Sequence, residues 1–354
     1  MYYICIFLIT GVFFYFYSKS IGASKGLLGL FIIILLMMLP SFQYNVGTDY
    51  FSYASIVEYP DNLWLYKTKG EYFFVLIVEL INYYKLDYQY LFVFISIIQS
   101  MFILFILSEI CNKKTKYNIV IFFYFFITIT VLFHIQMNTL RSSIAIYSFL
   151  LAIILRFKNE NKLSLVCFLF GLLWHKSILI TIPLLIVPLS FWDIIYNNRV
   201  KIFAITFVFF ISGIFVFARD YVLTEILTNY KHYLGGGYSK AAPFINIVTK
   251  MVYLPLYIGF FYTYRNDIVL DVFGRRVLSV FVLTSSLYLT LIYDGSIYRI
   301  YQYFIFFNLF PVYYLYIKQK LMGKVFIIVY LLIPYLFKVL IFPVSEFSYQ
   351  SILF

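Results

Sequence analysis

The sequence predicts an all-α protein: a polytopic bundle of about 12 transmembrane helices (11–13), with outer-face loops and one interfacial helix. Three observations carry this. Of 354 residues, 64% are hydrophobic and only 12% charged. Soluble domains carry about 25% charged residues, so this chain cannot cover a globule with a polar surface. The apolar residues also come in continuous runs rather than alternating, which excludes a porin-like barrel. Finally, basic residues recur between the runs in a pattern that fits one orientation. A soluble enzyme, a coiled coil, a disordered tail and a disulfide-rich secreted module are excluded by the same composition.

Taken in order, the expected spans are 2–17, 26–42, 89–108, 117–134, 142–156, 163–175, 177–192, 200–217, 246–264, 277–293, 298–317 and 325–342. Each is an apolar run near the length that crosses a bilayer, although several fall short of about 20 residues. The pair 163–175 and 177–192 reads equally as one broken or re-entrant element around His175 and Lys176. Residues 71–84 are short and carry Glu71 and Glu79, so an interfacial or half-inserted helix suits them better than a span. The first apolar run lacks a basic n-region and an A-x-A-like site, so no cleaved leader is expected. Residues 1–354 read as a single integral membrane domain, with 43–85 an outer loop holding the amphipathic segment and 218–245 a second outer loop.

Orientation follows from Lys and Arg. With both termini outside, the cytoplasmic loops hold Lys19 and Lys25; Lys113, Lys114 and Lys116; Arg156, Lys158 and Lys162; Arg199 and Lys201; Arg265, Arg275 and Arg276; Lys318, Lys320 and Lys324. The net charge of +12 is therefore largely topology. No basic block is long enough for a nucleic-acid patch, so no nucleic-acid partner is expected. Cys5, Cys111 and Cys167 are isolated, form no CxxC and suggest no disulfide frame.

The polar, non-basic sequence collects on the outer face, in four places. The loop after the second run contains Val46-Gly47-Thr48-Asp49-Tyr50 and then Tyr53. Gly47 permits a tight turn, and Thr48 or Asp49 can cap a helix on which Asp49 and Tyr53 share a face. A surface helix cap explains these residues as well as a carboxylate beside an aromatic shelf does. The second place is His134 to Ala145. His134, Asn138 and Arg141 share a face if the turn is helical, and Arg141 is an outer arginine suited to bidentate phosphate binding. Interface anchoring is the competing explanation. The third is Trp174-His175-Lys176-Ser177, where a structural histidine competes with an anion contact. The fourth is Tyr293 to Tyr303, where Arg299 follows Tyr298 and precedes Tyr303; an Asp294–Arg299 bridge closing the turn is the alternative. The loop 218–245 adds His232, Gly235-Gly236-Gly237 and Lys240, and reads as a lid or as a plain loop.

Several motifs are missing. The sequence has no Walker loop, GxGxxG, DxD pair, metal-ligand spacing or GxSxG elbow. No metal and no cofactor are expected, nor a cytoplasmic nucleotide donor.

These motifs resemble those of the EpsG-type membrane proteins, Wzy-like polymerases of bacterial surface polysaccharides. The resemblance rests on Val46-Gly47-Thr48-Asp49-Tyr50 with Tyr53, on Leu140-Arg141-Ser142-Ser143-Ile144-Ala145, on Trp174-His175-Lys176-Ser177, and on Tyr298-Arg299 through Tyr303, in family order. Two departures stand out. Gln43 and Tyr44 occupy the place where the family often has an arginine, which either removes one expected anion contact or moves it to a residue such as Lys67 or Lys69. Ser142 stands where a glutamine is common.

The resemblance implies a multi-pass protein of the bacterial inner membrane with an outward active face. It implies transfer of a growing glycan from undecaprenyl diphosphate to the non-reducing end of a lipid-linked repeat unit. Asp49, Arg141, His175 and Arg299 are the implied catalytic residues. Gly47, Thr48, Tyr50, Tyr53, Asn138, Lys176, Tyr298 and Tyr303 are the implied substrate-binding ones. Arg141, Lys176 and Arg299 would meet the leaving diphosphate. Asp49 would take the acceptor proton, with Glu58, Asp61 or His175 as alternatives. The implied partners are an undecaprenyl-diphosphate-linked oligosaccharide, membrane lipid and, as a further candidate, a chain-length regulator. A lipid-linked oligosaccharide flippase, a glycan ligase and a non-enzymatic assembly subunit are the competing readings.

Overall fold

The structure is a computed structural model. It describes residues 2–112, 117–212, 251–266, 271–291, 298–343 and 345–352. Every regular element among them is helical; the one β-type pairing is an isolated bridge between Gln43 and Ser351. The chain divides into two compact units, residues 1–186 with 328–354, and residues 187–327.

The first unit opens with helices α1 (Tyr2–Lys19) and α2 (Gly22–Ser41). Three short helices follow: α3 (Tyr50–Glu58), α4 (Leu63–Thr68) and α5 (Tyr72–Tyr83). Next come α6 (Gln89–Ile110), α7 (Ile119–Phe125), α8 (Leu132–Asn138), α9 (Leu140–Phe157), α10 (Asn161–Trp174) and α11 (Ile182–Ile186). Burial sorts these helices. Along its apolar window α9 is 83% buried, whereas α1 and α2 are 17% and 22% buried. Helices that are apolar all round yet mostly unburied need a lipid solvent. This is a membrane protein, with α9 at the centre of its first unit and α1 and α2 on the rim.

Polar contacts fix the packing around α9. Gln99 Nε2 on α6 donates to Ser143 Oγ on α9 at 2.7 Å. The Tyr147 hydroxyl donates to Gln136 Oε1 at 2.8 Å. A Cβ on Gly171 of α10 would lie 2.7 Å from Ser148 Cβ, so the close approach of α9 and α10 requires glycine there. A buried cluster that includes Tyr53, Phe74, Phe92, Leu140 and Trp174 ties α3, α5, α6, α9 and the end of α10 together. The C-terminal tail clasps the same unit: Tyr44 N–H donates to the Gln350 carbonyl and Ile352 N–H to the Phe42 carbonyl, each at 3.0 Å.

In the second unit, α12 (Leu189–Asn197), α13 (Arg199–Ser212), α14 (Leu254–Thr263), α15 (Val272–Leu291), α16 (Tyr298–Tyr301) and α17 (Leu309–Lys318) are described. Arg199 is buried and donates to the Tyr196 and Tyr264 carbonyls at 3.0 and 2.6 Å. This charge, read from sequence as an orienting loop residue, closes helix ends inside the unit. A final helix, α18 (Leu321–Leu336), continues through a π-turn to Ile341.

Span count is where structure and sequence differ. Among the described residues five helices are long and apolar enough to cross a membrane, or seven if each of two bent pairs is one span. About 12 were expected. The expected span 117–134 passes through a π-turn and bends by 55° at Val131, whose φ of 50° is unusual for a β-branched residue. The pair 163–175 and 177–192 is broken, as one reading had it: α10 has 14 residues, or about 21 Å, and His175 is extended. Pro188 then starts α12 without an N–H to continue the preceding turn. The expected span 298–317 is interrupted by a turn and a 3₁₀ segment. Helix α5 is about 18 Å long by its 12 residues, too short to cross, in line with its reading as a non-spanning helix.

Candidate functional site

The site begins with a turn. Val46 is fully buried, and Gly47 follows with φ +79°. A Cβ there would sit 2.5 Å from Asn138 Oδ1, so both conformation and space demand glycine. Asn138, at the end of α8, accepts the Asp49 N–H at 2.9 Å. The Thr48 hydroxyl lies 3.1 Å from Asp49 Oδ1 and 3.4 Å from Asn138 Oδ1. Asn138 and Thr48 thus shape the turn. Asp49 stands at the N-terminus of α3, yet its side chain makes no cap bond, contrary to the capping expectation. Its carboxylate is half-buried and its main-chain carbonyl accepts the Tyr53 N–H at 3.0 Å.

The centre forms where α5 begins. Gly70 turns the chain with φ +72°, and Glu71 follows with its side chain 2% exposed. One carboxylate oxygen takes Arg141 Nη1; the other lies 2.5 Å from His175 Nδ1. The two partners are more open, at 18% for Arg141 and 29% for His175. Burial alone would raise the Glu71 carboxyl, but the His175 hydrogen bond and the Arg141 charge outweigh it and hold the group below the usual carboxylate range.

Arg141 is caged by rings. Its guanidinium carbon lies 4.5 Å from the Tyr66 ring centre, 5.2 Å from Phe74 and 5.8 Å from Tyr53. Burial pushes the Tyr53 hydroxyl up, and the neighbouring Arg141 charge partly offsets this. Asp49 acts on both Tyr53 and Tyr66 electrostatically, which places it in the same cluster. Lys176 adds an ammonium at the edge: its Cε and Nζ would lie 2.8 and 3.2 Å from a Cβ on Gly70.

The structure therefore brings together Asp49, Tyr53, Asn138, Arg141, His175 and Lys176, with Gly47 and Thr48 shaping the turn. Tyr50 is used differently: it is 1% exposed, stacks on Phe92 at 4.8 Å and donates to Gln89. His134 does not share a face with Arg141. Thr139 breaks the helix between them, and His134 is fully buried, stacked on Phe347 at 4.5 Å. Lys67 pairs with Glu79 at 2.6 Å, and Lys69 lies 5.9 Å from the Tyr66 ring. Gln43 is fully buried and donates to the Met137 carbonyl at 3.2 Å.

In the second unit, Tyr298 and Arg299 open α16, with their side chains outside the described residues, and Tyr303 is 2% exposed. The loop 218–245 and residues 292–297 also lie outside them. No group of three His, Cys, Asp or Glu among the described residues is placed to hold a metal ion.

Sequence reasoning missed Glu71, Tyr66 and Phe74 as site residues. Glu71 left one usable signal, an acid directly ahead of an apolar helix, which requires a partner. Its partners lie 70 and 104 residues away, so their identity was not readable.

A family model described as the EpsG family matches residues 26–351. Comparisons with curated proteins and with solved structures give no match.

Proposed function

Since the chain belongs to the EpsG family, a family of polysaccharide biosynthesis, we propose that it is a repeat-unit polymerase working at the outer leaflet of the bacterial inner membrane. The substrate is a glycan on undecaprenyl diphosphate. A hydroxyl at the non-reducing end of a second lipid-linked unit attacks the anomeric carbon of the first. A glycosidic C–O bond forms, the bond to the diphosphate oxygen breaks, and undecaprenyl diphosphate leaves.

The observation that carries this reading is the buried carboxylate of Glu71, which holds Arg141 and His175 in place while their own edges stay exposed. Fixed cations aimed at a developing anion lower a barrier without reorganising at the moment of reaction. Arg141 uses one of its donors on Glu71 and keeps others for a phosphate oxygen. Lys176 adds a positive charge at the edge, beside Gly70. Both Glu71 oxygens are engaged, by Arg141 and by His175, so Asp49, half-buried with free acceptor sites, is the base for the acceptor proton. Tyr66, half-buried, offers ring surface to the sugar. Arg299 in the second unit is proposed, on its own account, as a further anion contact.

The test is direct. Purified protein incubated with lipid-diphosphate-linked repeat units yields a ladder of products. Arg141→Lys reduces that product by about a hundredfold or more, because a point charge does not reproduce a planar fork. Normal ladders from a well-folded Arg141→Lys protein overturn the role of Arg141, and no ladder from wild type overturns the polymerase.

A further inference from the structure

A recess lies apart from the Glu71 centre, between α4 and α5. It is a cavity of about 440 Å³ lined by Asp61, Trp64, Lys67, Glu79, Asn82 and Tyr83, with Pro60 and Leu63. That volume falls within the range of roughly 300–1,000 Å³ typical of small-molecule sites. Helix α4 serves both places from different sides: Tyr66 covers Arg141, while Trp64 and Lys67 line the recess.

Its chemistry is specific. Two large rings are presented outward, Trp64 at 61% and Tyr83 at 79% exposed. Asn82 Nδ2 is buried in the wall without a hydrogen-bond partner. Lys67 and Glu79 pair at 2.6 Å with about half of each side chain exposed, so a ligand can replace the pair at little cost. Aromatic faces beside carboxylate and amide groups match a sugar ring, which is apolar on its C–H face and polar at its rim. Two carboxylates against one ammonium disfavour a phosphate or uronate. A Trp and a Tyr on an interfacial belt would need neither Asp61 and Glu79 nor a buried unpaired amide.

We propose that this recess is a glycan-binding subsite, taking an uncharged sugar segment of the substrate chain while its reacting end lies at the Glu71 centre. The identity of that chain rests on the polymerase reading; the recess itself is tested without catalysis. The protein has three tryptophans. Trp174 and Trp192 are 1% and 0% exposed, so Trp64 is the ring a soluble ligand can reach.

Full-length protein in nanodiscs is titrated with short lipid-free oligosaccharides, cut from the polysaccharide of cells carrying the protein. Expected is a saturable change in tryptophan emission that Trp64→Phe abolishes. Asp61→Asn and Tyr83→Ala each weaken it about tenfold. Asp61 is an exposed surface position, so its variant reads binding even if Tyr83→Ala folds poorly. No emission change, or wild-type affinity in both the Asp61 and the Tyr83 variant, overturns the subsite. Quenching of Trp64 by brominated acyl chains seats the ring in lipid and also overturns it. A wild-type ladder without oligosaccharide binding removes the subsite alone; binding without a ladder removes the polymerase alone.

Discussion

Two ion pairs stand near opposite ends of α5, and they differ in nearly everything but chemistry. Glu71, at the start, is 2% exposed and grips Arg141 and His175. Glu79, two turns on, is 48% exposed and meets a Lys67 that is 53% exposed. The first carboxylate has lost its water and depends wholly on its partners. The second keeps its water and gains little from the lysine. The buried pair is therefore a fixed part of the structure, whereas the exposed one is available to exchange partners. A charge cluster that must hold its geometry through a reaction belongs in the first environment. A surface that must accept and release a ligand belongs in the second.

The sharpest way to break this contrast is Glu71→Ala. It leaves Arg141, 18% exposed among three rings, with no counter-charge. The expected loss is about 3–5 kcal/mol of stability, read as a large fall in the unfolding midpoint of the detergent-solubilised protein, with activity lost as well. A variant that unfolds like wild type would reduce the cluster to a surface pair. Acid titration probes the same group more gently. Because the folded Glu71 carboxyl lies below its ordinary range, its stabilisation is complete above the unfolded value near about 4.3 and is lost as pH falls through the lower folded value. Wild type and Glu71→Gln should thus differ at about pH 5, and converge in stronger acid. A gap that instead widens in acid reverses the sign and sinks the assignment.

Gly47→Ala comes next. It forces a Cβ onto Asn138 Oδ1 at a φ of +79°, at a cost of about 1–3 kcal/mol. The Asp49 turn moves while the Glu71 cluster stays. Product formation should fall with little change in expression, and Gly47→Asn, better suited to positive φ but equally crowded, should not restore it. Recovery by asparagine would make backbone conformation, rather than the approach to Asn138, the reason for glycine.

The two regions were unequally legible in the sequence. Helices α1, α2, α6, α9 and α18 follow from hydropathy because a long apolar run in lipid has one good solution. The break at Val131 did not, because an apolar β-branched residue fits a helix interior; those at Thr139 and His175 fall in stretches that the sequence already allows as breaks. Arg141 and His175 drew attention as polar groups amid apolar sequence. Glu71 was noticed only as a reason against a span, since a carboxylate gives no local sign of partners far along the chain. Tyr66 and Phe74 were hidden by composition: in a chain that is 23% aromatic, two more rings carry no signal.

The smallest effect tests the other half of the contrast. Lys67→Ala removes an ammonium that is half in water and whose partner Glu79 is equally wetted. The expected change in stability is below about 1 kcal/mol and shrinks further in high salt. The same substitution at a buried pair would strand the carboxylate; here water takes over the role of the lysine. If Lys67→Ala destabilises the protein as much as Glu71→Ala does, exposure is the wrong axis along which to separate the two ends of α5. The pair would then have to be treated as part of one network reaching, through Tyr66 on the same short helix, to Arg141.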